Sequence, residues 1–229
     1  MTTWSIEAEL CGLANATSLE DACVSLRLAE PLAANAKLAL VELAPWHRSG
    51  AETYLYLFAL RNADVLVGEY ALKAMVAATP GIPPELQLKR HLDRRQRLAD
   101  GGGSVPKLYA ASKGVWLEER ISHNLLDALP ECEPSHELQR NLVSLLVSVA
   151  KCRFSPLSIA PNIMVRNATA YWVDFGTDLG DPTSTDVTSS DLLQKLLTEV
   201  QRRSKAAAAS MALIHGTLLE ATSAASRVH

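Results

Sequence analysis

Apolar and polar positions change their spacing several times along the chain, and each spacing predicts a different kind of element. Residues 18–29 carry apolar side chains at helical spacing behind a Ser18–Asp21 capping pair, and Pro31 ends that helix. Apolar, β-branched and aromatic runs then predict three antiparallel strands in a meander, at residues 38–43, 53–60 and 65–76. We therefore expect the first third of the chain to be a helix followed by a small sheet.

Helical patterns become more frequent after these strands. A polar helix is expected from about residue 85 to 100, and the glycines at 101–103 end it. Short strands at 107–110 and 115–117 come next, and the polar stretch 118–120 is the expected linker. The remaining pattern predicts a helix at 135–151, a hairpin at 163–165 and 171–173, and a last helix from 189 to about 222.

Composition and charge limit the class of protein. The 229 residues carry 22 basic and 25 acidic side chains, a net charge of −3, and 48% of them are hydrophobic. The hydrophobic fraction excludes a disordered chain, and the acidic balance argues against a nucleic-acid partner. Residues 1–9 include Glu7 and Glu9 where a secretory signal needs basic residues, so we expect no signal segment there. Apolar stretches such as 142–150 are far shorter than the roughly 18 residues of a membrane span. We expect a cytoplasmic protein with neither DNA nor membrane as partner, and secretion without a signal peptide stays open.

Oxygen ligands are concentrated around the predicted hairpin. Asn162 precedes the hairpin, and Asp174 follows it in the sequence Asp174-Phe175-Gly176. Because a hairpin brings its two ends together, we expect the amide and carboxylate oxygens to lie close to each other. Mg²⁺ prefers such ligands and is usually shared with substrate phosphates. The sequence therefore predicts a magnesium site at Asn162 and Asp174, with ordinary turn residues as the alternative.

A lysine in the third predicted strand is a candidate phosphate contact. Strand side chains alternate between faces, so Ala71 and Lys73 share one face. A small residue beside an ammonium group leaves room for a flat base while the charge reaches phosphates. The alternative is a solvated strand lysine.

The order of these features resembles the protein-kinase-like fold. The resemblance covers residues 38–182, and its most specific pieces are Ala-Pro-Asn-Ile-Met-Val at 160–165 and Tyr-Trp-Val-Asp-Phe-Gly at 171–176. The chain is more similar to the aminoglycoside phosphotransferase branch and to minimal bacterial effector kinases than to eukaryotic-type kinases. This resemblance implies a two-lobed α+β fold, with a β-rich lobe at residues 1–117 and a reduced helical lobe at 118–229.

The resemblance also implies roles for the candidate residues. Lys73 would hold the α and β phosphates of ATP, with Ala71 beside the base. Asn162 and Asp174 would bind Mg²⁺. Asp174 and Lys73 would be catalytic residues.

Two further implications concern the linker and the first lobe. The chain around Glu118 and Glu119 would meet adenine. An acid on the polar helix would pair with Lys73, and both Glu85 and Asp93 are candidates for that acid.

Three departures from the kinase pattern affect the expected activity. The catalytic-loop aspartate of the family stands five positions before the metal-binding asparagine, and that position is Leu157 here. Asp178 and Asp181 are the acids that could replace it, and the alternative is that both are solvated loop residues. Residues 46–52 contain a single glycine where protein kinases have a glycine-rich phosphate cover. Only 53 residues follow Gly176 (229 − 176), so we expect a reduced helical lobe.

Two function classes follow from this pattern. The first is an ATP- and Mg²⁺-dependent phosphotransferase that acts on a protein or a small hydroxylated substrate. The second is a pseudokinase that binds nucleotide or a partner protein as a regulatory or scaffolding module. Leu157 favours the second class, whereas Lys73, Asn162 and Asp174 together favour the first. Nucleotidyl transfer is a weaker third hypothesis.

The polar helix predicted at 85–100 is also strongly basic. We expect its cations to form a solvated helix face, and the alternative is a surface for a phosphorylated or acidic partner. The residues concerned are Lys89, Arg90, His91, Arg94, Arg95 and Arg97.

Overall fold

The computed structural model describes residues 53–62, 65–75, 82–112, 115–129, 135–180 and 187–204. Several predictions lie outside these residues: the helix at 18–29, the strand at 38–43, the segment 46–52, Asp181 and the last helix beyond residue 204. The described residues form a mixed α+β structure with two antiparallel sheets and four α-helices. The predicted α+β class is therefore confirmed at this level.

The first sheet is antiparallel, with the strand order β1-β2-β4-β3 among the described residues. Aromatic and β-branched side chains in these segments suit the pleated surface of a sheet. The strands predicted at 53–60, 65–76, 107–110 and 115–117 are confirmed, and β4 continues through Glu118 and Glu119 into the stretch expected to be the linker. The strands are β1 (Thr53–Asn62), β2 (Val65–Met75), β3 (Leu108–Ser112) and β4 (Val115–Glu119).

The polar helix predicted from about residue 85 is confirmed as α1 (Pro84–Asp100). Its end is set by glycines. Gly102 has a φ of +87°, a left-handed conformation that favours glycine, and the Gly103 N–H donates to the Leu98 carbonyl at 2.9 Å. A Cβ at Gly101 would lie 2.5 Å from Cys152 Sγ, so this position also has no room for a side chain.

The second sheet is small, and helices precede and follow its hairpin in sequence. Among the described residues it has the order β5-β6-β7, and β6 and β7 form the predicted hairpin. Ser135 caps α3 by accepting from the Leu138 N–H, and Thr188 and Asp191 form a capping box at the start of α4. The elements are β5 (His123–Asn124), α2 (Leu125–Ala128), α3 (His136–Lys151), β6 (Ile163–Arg166), β7 (Thr169–Trp172) and α4 (Ser189–Arg203).

The chain divides into two compact units. One unit contains the described residues up to Arg90 together with Lys107–Arg120, and it includes the first sheet. The other unit contains His91–Pro106 and the described residues from Ile121 onward. Its core includes buried apolar residues from α3, α4 and the hairpin, and α3 packs against both β7 and α4. Within the described residues, no helix is both long and apolar enough to cross a bilayer.

Candidate functional site

Lys73 lies on one face of the first sheet with three other side chains. The register pairs Lys73 with Trp116 and Ala71 with Glu118 across β2 and β4. Directly opposite residues of an antiparallel pair share a face, so all four side chains lie together. The expectation that Ala71 and Lys73 share a face agrees with this register. Ala71 is buried, and Lys73 keeps a small exposed fraction.

Glu118 is the acid that contacts Lys73. Lys73 Nζ lies 2.6 Å from Glu118 Oε1, and the two side chains are 13% and 2% exposed. Trp116 Nε1 donates to Glu118 Oε2 at 3.1 Å, and Lys73 Nζ also lies 5.9 Å from the centre of the Trp116 ring. The carboxylate therefore uses both oxygens to hold Lys73 and Trp116 in place.

This ion pair differs from the one expected from the sequence. The sequence offers Glu85 and Asp93 as candidates on the helix, and both are exposed residues of α1. Glu118 was expected to meet adenine through its backbone instead. The N–H of Glu119, the next residue, donates to the Lys107 carbonyl at 2.8 Å. This N–H is therefore already hydrogen-bonded to the backbone just before β3.

The hairpin brings the backbone of Asn162 next to that of Val173, the residue before Asp174. Asn162 ends a short 3₁₀ turn before β6, and Val173 N donates to the Asn162 carbonyl at 3.0 Å. Asp174 follows Val173 directly. Its Oδ1 accepts from the Gly176 N–H at 2.9 Å, and its backbone carbonyl accepts from Trp172 Nε1.

The turn at Asp174-Phe175-Gly176 is anchored to α1 by two residues of the same unit. His91 is buried, and its Nε2 accepts from the Phe175 N–H at 3.2 Å. Arg94 Nη1 donates to the carbonyls of Phe175 and Gly176 at 3.1 and 2.9 Å. These contacts, and the burial of Arg95, correct the expectation that all six basic residues of this helix form a solvated face.

Asp178 belongs to the same group of polar side chains. Its Oδ2 accepts from Asn162 Nδ2 at 2.5 Å and from Ser158 Oγ at 3.0 Å. Its backbone carbonyl accepts from the Leu157 N–H at 2.7 Å. Asp178 is therefore tied to the loop before Asn162 and is not a freely solvated loop acid. Leu157 itself is 71% exposed.

The chemistry of this group fits Mg²⁺. Asn162, Asp174 and Asp178 offer oxygen donors, and both Nδ2 hydrogens of Asn162 are used, toward Ser158 O at 3.1 Å and Asp178. These two hydrogen bonds fix the plane of the Asn162 amide and leave its Oδ1 as the atom that can bind a metal ion. In the described ranges, no three His, Cys, Asp or Glu residues gather to hold a metal by themselves. An ion here would need substrate phosphates as well, which is usual for Mg²⁺.

The sequence pattern did not indicate the contacts of four residues: Glu118, His91, Arg94 and Glu199, whose carboxylate accepts from the N–H groups of Ile159 and Ala160. Glu118 lies two positions after Trp116, and residues at this spacing share one face of a strand. This spacing is the signal in the sequence that could have indicated the contact between Glu118 and Trp116. His91 and Arg94 lie three positions apart on α1, the spacing of a common helix face, and their contacts with the distant turn leave no mark in the pattern. Glu199 interrupts the apolar spacing of α4, where Leu192 and Leu196 precede it on the same side.

Neither a protein-family model nor a curated protein matches the chain. The kinase-like resemblance is therefore a proposal, and its basis is the pair of motifs around Asn162 and Asp174 together with the contacts described above.

Proposed function

We propose that this protein is an ATP- and Mg²⁺-dependent phosphotransferase of kinase-like fold, acting on a hydroxyl group of a protein or a small molecule. The observation that carries the proposal is that Asn162, at the open end of the β6–β7 hairpin, is hydrogen-bonded to Asp178 through its side chain and to Val173, the residue before Asp174, through its carbonyl. Oxygen ligands in this number suit a divalent cation that is shared with phosphates. Such an arrangement serves phosphoryl transfer, where positioning and charge neutralisation supply most of the rate.

The residues have separate roles in this proposal. Asn162 Oδ1 and the Asp174 carboxylate would hold Mg²⁺, which when bound neutralises phosphate charge. Lys73 would bind the α and β phosphates, and Glu118 would orient its ammonium group. The acceptor oxygen forms a bond to the γ-phosphorus while the bond to the β–γ bridging oxygen breaks and ADP leaves. The acceptor proton passes to Asp178.

Asp178 supports transfer in spite of Leu157. A general base contributes typically about 10²–10⁴-fold to the rate, or roughly 3–5.5 kcal/mol, so its loss would slow the reaction without preventing it. Asp178 is hydrogen-bonded to Asn162 and to the backbone of Leu157, at the place in the chain where the family's acid is missing. A second carboxylate from the turn after Gly176 thus compensates for the apolar side chain.

Binding is tested first by thermal unfolding. A ligand at about 100 times its Kd stabilises the folded state by roughly 2.7 kcal/mol, which raises Tm by about 5–10 °C for a chain of this size. We expect this rise with ATP and Mg²⁺. Asp174→Asn should remove most of its Mg²⁺-dependent part, because the amide can keep the bond to Gly176 but lacks the charge.

Asp100→Asn is the matched control, since it makes the same chemical change at an exposed position at the end of α1. It should keep the full rise in Tm. If ATP, GTP and ADP all leave the Tm of the wild-type protein unchanged, the phosphotransferase proposal is wrong.

A pseudokinase is the second candidate, and the exposure of Leu157 favours it. Transfer of labelled γ-phosphate to the protein or to candidate acceptors decides between the two, with Lys73→Met as the inactive control. The phosphotransferase predicts transfer that Asp178→Asn reduces by about 10²-fold or more. Nucleotide binding without transfer, together with transfer gained by Leu157→Asp, would favour the pseudokinase instead.

A further inference from the structure

Helix α4 contacts the loop before Asn162 through two charged side chains. Glu199 Oε2 accepts from the backbone N–H groups of Ile159 and Ala160, both at 2.8 Å. Lys195 Nζ donates to the Pro156 carbonyl at 2.6 Å. The i, i+4 spacing of Lys195 and Glu199 suggests an ordinary surface ion pair, but both side chains are used to hold this loop.

The contact with Glu199 has a direct continuation to Asn162. The peptide group that donates through Ile159 N also carries the Ser158 carbonyl, which accepts from Asn162 Nδ2 at 3.1 Å. The peptide group that donates through Ala160 N carries the Ile159 carbonyl, which accepts from Asn162 N at 3.0 Å. Two planar peptide groups therefore lie between one carboxylate oxygen and the backbone and side chain of Asn162.

The peptide groups that bond to Glu199 are buried, so these hydrogen bonds cannot be replaced by bonds to water. Ile159 and Ala160 are buried, so their N–H groups need a protein acceptor. An oxygen that accepts on one side of a peptide group polarises it and strengthens the bond that its carbonyl accepts on the other side. The orientation of the Asn162 amide, and through it the Asp178 carboxylate, thus depends on Glu199.

We propose that Glu199 is a positioning residue, which acts through these two peptide groups to aim Asn162 Oδ1 at the Mg²⁺-binding position. The inference rests on the proposed phosphotransferase function for its consequence in catalysis. The hydrogen-bond relay from Glu199 to Asn162 is a property of the folded protein and is testable without nucleotide.

Amide hydrogen exchange of the full-length protein tests the relay. Glu199→Ala should speed exchange at Ile159 and Ala160 by about 10-fold or more, and exchange at the Asn162 backbone N–H should rise with it. Glu199→Gln should stay close to wild type, because Gln Oε1 can accept both bonds as Glu199 Oε2 does. Gln194→Ala, an exposed change on the same helix, is the matched control. Faster exchange at Ile159 and Ala160 with no change at Asn162 would overturn the relay.

The Mg²⁺ dependence of nucleotide binding tests the consequence. Residues that orient metal ligands typically change metal affinity by about 10–100-fold when they are removed. The Mg²⁺ concentration for half-maximal ATP-dependent stabilisation should rise by about 10-fold in Glu199→Ala and by less than about 3-fold in Glu199→Gln. ATP binding without Mg²⁺ should be unchanged, which a general loss of folding would not produce.

The outcomes separate the two proposals. If wild-type protein binds ATP and Glu199→Ala keeps the wild-type Mg²⁺ dependence, the positioning role is wrong and the phosphotransferase proposal stands. Equal losses in Glu199→Ala and Glu199→Gln would also overturn the role, because both hydrogen bonds are kept in the second variant. If wild-type protein binds no nucleotide, the proposed function fails, and exchange at Asn162 still supports or refutes the relay.

Discussion

At the scale of single residues, the first sheet contains a buried charge, the carboxylate of Glu118. The Glu118 carboxylate is almost fully buried, and Lys73 and Trp116 each occupy one of its oxygens. Removing one partner of such a pair leaves an uncompensated charge, whereas removing both charges often costs little. The ion pair is thus better understood as a means of fixing the Lys73 ammonium group than as a source of stability.

A double-mutant cycle tests this interpretation. Lys73→Met should destabilise the protein by about 3 kcal/mol, at the low end for a buried pair because Lys73 is 13% exposed. Adding Glu118→Gln should recover at least half of that loss, since Gln can still accept from Trp116 Nε1. Urea unfolding and exchange of the β2 and β4 amides measure the effect. A Lys73→Met variant as stable as wild type, or a double variant less stable than the single one, would contradict it.

Elements differ in how far their sequence determines them. Strand and helix positions were predictable from local patterns, and the glycines after α1 fixed its end because Gly102 adopts a left-handed φ. The register that puts Glu118 beside Lys73 was not predictable, since it depends on pairing between segments more than 40 residues apart. The same holds for Asp178, whose partners Ser158 and Asn162 precede it by 20 and 16 positions. Long-range contacts leave no periodic signal in the chain.

Helix α4 gives a prediction about acid pH. The Asp191 pKa lies below its usual value, because the Thr188 hydroxyl and then the Thr188 backbone N–H donate to its carboxylate. The folded state therefore favours the ionised form, so its contribution is complete above the pKa of the unfolded chain and is lost as the pH falls through the lower pKa of the folded one. Thr188→Ala should cost about 1 kcal/mol at pH 7.

Urea unfolding from about pH 5 to pH 2 measures this contribution, over the range where carboxylates are protonated. The wild-type protein should lose more stability across this range than Thr188→Ala does. Ser190→Ala removes an exposed hydroxyl next to the cap and should follow the wild-type pH dependence. Parallel curves for wild type and Thr188→Ala would show that the capping box does not set the Asp191 pKa.

At the scale of the whole chain, the second unit links the candidate site to a hydrophobic core. Ile159, Ala160 and Phe175 are members of that core, and they flank Asn162 and Asp174 in sequence. The polar groups are therefore carried by backbone whose neighbouring side chains are buried. Loss of packing in this unit should loosen the loop and the turn together, because buried residues that pack in one cluster tend to open as one cooperative unit.

Two leucines with opposite exposure test this cooperativity. Leu146 is fully buried in α3, and Leu146→Ala should destabilise the unit by about 2–5 kcal/mol through the lost contacts and the cavity. Leu157 is 71% exposed, so Leu157→Ala should change stability by no more than about 0.5 kcal/mol. Hydrogen exchange should rise by a similar factor in α3, in α4 and at Ile159 and Asn162 in the first variant, and nowhere in the second. A rise confined to α3 would mean that the site is stable independently of this core.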